Sequence, residues 1–88
     1  MADPVSWKVV EPGWEVVAAD GSDVGRVDEV VGDLDADIFT GLKILTGLLG
    51  KPKYVPSESV GPMEDGRVAL TLSSEEVEEL RDWEDVAP

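Results

Sequence analysis

The sequence contains no cysteine and no histidine. The first absence removes disulfides as a source of stability. The two together remove the usual ligands of structural zinc and of most transition metals. They also remove the commonest general base and the most reactive side-chain nucleophile. Bases are scarce as well: seven face twenty acids, for a formal net charge of −13 over 88 residues. A surface of that sign repels nucleic acid, whose binding needs clustered Lys and Arg, and repels anionic membranes. Long apolar runs are missing. The most apolar stretch, residues 38–56, is interrupted by Lys43, Lys51, Lys53, Pro52 and three glycines, so it does not read as a membrane span. Residues 1–8 lack the apolar run of a signal peptide. These absences predict a cytoplasmic protein with no cofactor, no metal requirement, no nucleic-acid partner and no membrane insertion.

Apolar residues make up 42% of the chain, enough for a globular domain and too many for a disordered one. The length allows one domain, whose core must come from apolar packing, helped by self-association.

Residues 1–13 read as an N-terminal arm. Val5, Trp7 and Val9 alternate there, so part of the arm is expected to pair as an edge strand. Residues 14–19 and 24–31 read as strands joined through Asp20-Gly21, a dipeptide that tolerates the positive φ of a hairpin turn. Residues 38–45 form a third strand and 53–56 a short one bounded by prolines. Asp65-Gly66 marks a second hairpin, between 60–64 and 67–72. Val68, Leu70 and Leu72 alternate with polar or small residues, which gives that strand one buried face. Ser73 and Glu76 fit a capping box, followed by a helix over 74–82 with an apolar stripe of Val77, Leu80 and Trp83. The expected fold is all-β, a small antiparallel barrel with a short C-terminal helix. The expected domain spans 14–82, with a tail over 83–88.

The run Val16-Val17-Ala18-Ala19-Asp20-Gly21-Ser22-Asp23-Val24-Gly25-Arg26-Val27-Asp28-Glu29-Val30 resembles the opening of a PRC-barrel. Tyr54-Val55-Pro56-Ser57-Glu58-Ser59-Val60 is similar to that family's later strand, and Asp65-Gly66-Arg67-Val68-Ala69-Leu70-Thr71-Leu72 to its closing hairpin. The resemblance implies a compact barrel of about six strands acting as an adaptor, with no common catalytic set. In physical terms, Gly21 is expected to hold a positive-φ turn position, and Gly25 to allow a bend or close approach.

Three constellations carry candidate chemistry. Asp33, Asp35 and Asp37 begin like a calcium loop, but the sixth position is Ile38 rather than Gly and the twelfth is Ile44 rather than Glu. They read as a solvated acidic turn and are weak metal candidates. Ser57 and Ser59 lie near Lys53 in sequence, in a Pro-flanked connection that reads as a turn. The third is a patch. No acid lies between Ile38 and Ser57, while Lys43, Lys51 and Lys53 do. Leu48 and Leu49 lie in the expected loop, which either folds back over a barrel end or joins Leu42, Lys43, Leu45 and Lys51 in an interface with a second copy of the chain or another protein. Trp7, Trp14 and Trp83 come from the two ends of the chain and are expected to pack on one another.

The expected function is a non-enzymatic protein-binding or adaptor module, a homodimer in the leading form. An alternative is a stand-alone acidic protein of stress or salt adaptation. A third is a small-molecule or cation binder.

Overall fold

A computed structural model describes residues 7–33, 35–46 and 52–86. Six strands run in chain order: β1 (Glu15–Val17), β2 (Asp23–Asp33), β3 (Ile38–Leu45), β4 (Pro52–Pro56), β5 (Val60–Glu64) and β6 (Arg67–Leu70). Two short helices follow, α1 (Ser74–Glu78) and α2 (Trp83–Val86). The strands form one sheet in the order β4-β3-β2-β1-β6-β5. All neighbours are antiparallel except β1 and β6, which run parallel with Glu15 beside Arg67 and Val16 beside Val68. The sheet is therefore mixed, where the sequence reading had every strand antiparallel. Parallel pairing requires a long connection, and here the connection is the whole β2–β5 run.

The Val-rich stretches and the two Asp-Gly turns act as read. Gly21 (φ 87°) and Gly66 (φ 85°) occupy the left-handed turn positions. Gly25 lies so close to the Leu45 carbonyl oxygen that a Cβ would collide with it, which is the close approach expected there. β2 carries register irregularities at Val27/Glu29 and Val31/Gly32. Such bulges bend and twist a strand, and they let this long one coil the sheet around its own apolar face.

Val16, Val27, Leu42, Ile44, Val55 and Val68 are the largest fully buried side chains. They line that concave face, with Val77 of α1 and Val10 of the arm closing over it. Alternation along β3 decides who enters: Leu42 and Ile44 point in, Lys43 and Leu45 point out.

The coiled sheet does not close into a barrel. β4 and β5 are its two edges, yet only the 3-10 turn Ser57–Ser59 separates them in sequence. Four peptide units hold the strand ends within about 14 Å at that corner. Among the described residues, however, no ladder joins the two edges. The edge of β4 is already occupied. Tyr54 N donates to the Arg81 carbonyl at 3.1 Å, and Lys53 and Asp82 form an antiparallel bridge. On the other edge, Pro62 has no N–H to offer a ladder.

The capping box at Ser73 forms in full: Glu76 N donates to Ser73 Oγ at 3.2 Å, and Ser73 N to Glu76 Oε1 at 3.0 Å. The helix stops at Glu78 rather than at 82, because residues 81 and 82 are drawn out to pair with β4. In the arm, Trp7–Val9 is a 3-10 turn and not an edge strand. Val10 N bonds back to the Trp7 carbonyl at 3.3 Å, which turns the Val10 side chain into the core. Val5 lies outside the described residues.

Candidate interaction surface

The outer face of β3 and β4 is built from residues that alternation turns away from the core. Tyr54 lies flat over Gly41, where a Cβ would meet its ring at 2.8 Å, and its hydroxyl donates to the Thr40 carbonyl at 2.8 Å. Trp83 leans on Tyr54, with ring centroids 6.2 Å apart. Lys43 reaches over the Trp83 ring, 5.2 Å from its centroid, and pairs with Asp28 at 3.2 Å. Asp28 stands at the β2 irregularity, which frees it from the ladder and aims it at Lys43.

Lys53 faces the other way and is mostly covered, with 17% of its side chain exposed. Its Nζ donates to the Leu80 carbonyl at 3.1 Å and to Asp82 at 3.3 Å. This staple fastens the segment after α1 to the edge of β4.

The expected interface residues divide. Leu42 is fully buried, at 0% exposure, so it belongs to the core and to no surface. Lys43 is held by Asp28 and Trp83 within the fold. Leu45 stands out at the end of β3 with 40% of its surface exposed. Leu48, Leu49 and Lys51 lie outside the described residues.

At the far end of β3 lies the acidic turn. Asp33 Oδ1 accepts from Asp35 N at 3.0 Å and Ala36 N at 3.2 Å, while Asp37, at φ 55°, pairs with Lys8 at 3.2 Å. Among the described residues no group of three or more carboxylates is placed to hold a metal ion.

The tryptophans do not pack together as expected. Trp7 stacks on Phe39 with centroids 5.3 Å apart, Trp83 meets Tyr54, and Trp14 packs against the core. Nothing in the sequence singles out Phe39 as the partner of Trp7.

Of the turn residues, Asp20 does more than bend the chain. It accepts from Ser22 N at 3.0 Å and from both N and Oγ of Ser74, at 3.3 and 3.0 Å. These hydrogen bonds, with Ser22 the largest influence, lower its pKa from 3.8 to about 2. Asp20 thus pins the first hairpin to the start of α1. Beside that junction a cleft of about 350 Å³ opens between β2, β4 and α1, lined by Asp23, Val24, Thr46, Lys53 and Val77 among others. Its size falls in the range of small-molecule sites. Its Lys53 is already committed to Leu80 and Asp82, and its Asp23 pairs with Arg26 at 3.0 Å.

The architecture defines a small, coiled, mixed β-sheet domain with surface polar networks. The chain belongs to the bacterial family described as "Uncharacterized protein conserved in bacteria (DUF2171)", whose model matches residues 10–78. The PRC-barrel resemblance is thereby corrected: the family that matches is a different one, no PRC-barrel model matches, and the sheet is open. No curated protein matches the chain. Among the described residues no helix is long and apolar enough to cross a membrane.

Proposed function

We propose that the chain is a non-enzymatic protein-binding module of the cytoplasm that engages a second copy of itself or another protein through the Leu45 end of β3. The carrying observation is Leu45. It is 40% exposed on a strand whose Leu42 and Ile44 are fully buried, and it pairs across the ladder with Pro52. The same strand begins the longest stretch of the chain that holds no acid, so a partner approaching there meets the least repulsion. The non-enzymatic part of the reading is supported by the composition, which lacks the commonest general base and the most nucleophilic side chain.

The test compares wild type with Leu45→Asp. Multi-angle light scattering up to high micromolar concentration reads self-association, and capture from bacterial cytosol reads other partners. The reading expects at least one of the two to be present in wild type and lost in the variant, with the thermal midpoint preserved. Monomer only, together with identical capture by both proteins, removes it.

A further inference from the structure

Val9 and Ile38 are the two most exposed large apolar residues described, at 51% and 56%, and each lies within two positions in sequence of a member of the Trp7–Phe39 stack. Neither contributes to the core cluster. Beside the stack runs a groove of about 210 Å³ lined by Trp7, Lys8, Val10, Val30 and Gly32. That volume is below the ~300–1,000 Å³ usual for small-molecule sites and suits a single inserted side chain. Gly32 shapes the groove: Trp7 lies within 3.3 Å of where its Cβ would stand.

The charge around this surface is mostly negative, with Lys8 the one base among the groove's lining residues. Asp33, Asp35 and Asp37 occupy the turn between β2 and β3, and the nearby Lys8 is engaged by Asp37 at 3.2 Å. The chain as a whole adds a field of −13. An aromatic and aliphatic surface rimmed by acids complements an apolar side chain carried between bases.

We propose that this surface docks a cationic segment of a partner protein, which inserts one apolar or aromatic side chain into the groove beside Trp7. A second copy of this chain is a poor occupant. It carries the same −13, and its Lys43 and Lys53 are spent on Asp28 and Asp82. The surface is distinct from the Leu45 end and rests on different residues, so each proposal stands or falls without the other.

The test titrates the isotope-labelled full chain with a hexapeptide in which two lysines flank each side of a Phe-Leu pair, followed by amide and indole chemical shifts. Controls replace Phe-Leu with Ser-Ser, or the lysines with glutamates. Burying one large side chain corresponds to at least about tenfold in affinity, so the Phe-Leu peptide should bind about tenfold more tightly than the Ser-Ser one. Its shifts should centre on the Trp7 indole, Gly32 and Ile38. Val9→Ser and Ile38→Ser, at exposed positions where the fold is not at stake, should weaken it, and Leu45→Asp should not. The proposal is overturned if both cationic peptides bind alike, if shifts spread over the acidic surface, if the glutamate peptide binds equally, if no peptide binds, or if the same shifts arise from concentrating the protein alone.

Discussion

Replacing Leu42 with Ala separates a core residue from a surface one. Leu42 is fully buried between Val30 on β2 and Val55 on β4, its ladder partners on either side. Leu→Ala at such sites removes transfer free energy and leaves a cavity, at about 2–5 kcal/mol. Domains of this size are held by roughly 0.05–0.15 kcal/mol per residue, so the substitution removes a large part of the total. With about 4–8 °C of midpoint shift per kcal/mol, the melt should fall by roughly 10 °C or more. Urea denaturation followed by far-UV circular dichroism gives the free energy directly, provided the slope is unchanged. Leu45→Asp is the control. Its side chain is 40% exposed at the strand end, so its cost should stay within about 0.5 kcal/mol. A Leu42→Ala cost below about 1 kcal/mol, or equal costs for the two variants, would refute the assignment of opposite faces.

Lys53→Met removes the charged hydrogen bonds to Leu80 and Asp82 and should cost about 1–3 kcal/mol, with the partial exposure of Asp82 lowering the figure. Hydrogen exchange at the Tyr54 amide, which bonds to Arg81, should speed up in parallel; unchanged protection there would show that the segment holds without the staple. Asp20 has its pKa lowered from 3.8 to about 2, so its stabilising effect is full above about pH 4 and disappears as pH falls through 2. Wild type should therefore melt above Asp20→Asn at neutral pH, with the gap closing between pH 4 and 2, and carboxyl titration by NMR showing an ordinary value would sink the idea. The thermal midpoint should rise between low salt and about 1 M sodium chloride, where the Debye length is near 3 Å. Folding concentrates thirteen net negative charges, and screening relieves their repulsion by more than it weakens exposed ion pairs worth about 0–1 kcal/mol each. A flat or falling midpoint would mean that the acids are spaced harmlessly, and would count against acidity as a salt adaptation.

What was legible in the sequence was local. Valine-rich runs, the apolar 38–45 segment, the prolines around 53–56 and the Asp-Gly dipeptides mark all six strands and both tight hairpin turns, and Ser73 with Glu76 marks the start of α1. Those signals act over a few residues. The features that escaped it join distant parts of the chain. Lys53 meets Asp82 and Glu15 meets Arg67 across 29 and 52 positions, and neither pairing leaves a local signature. Barrel closure was expected because strand count and spacing suit it; the occupant of the β4 edge is a segment that helical periodicity had assigned to α1. Leu42 was misplaced for a different reason. Treating 38–56 as one patch overrode the two-residue period that separates Leu42 and Ile44 from Lys43 and Leu45, a signal the sequence does carry. The arm misled in the opposite direction, since the alternation of Val5, Trp7 and Val9 imitates a strand while Val10 is the residue that the core takes.

The parallel pairing of β1 with β6 sets the order of synthesis against the order of assembly. β1 lies at the middle of the finished sheet, yet its second neighbour begins 52 positions later, at Arg67. At ribosomal rates of about 5–20 residues per second, that interval is about 3–10 s. Throughout it the growing chain holds β1 with one bare edge, and Val16 and Val27 without Val68, Leu70 or Val77 to cover them. A bare edge beside an apolar face invites a strand from another chain. The second edge of β1 is therefore covered only once β6 has been made, after every strand from β2 to β5.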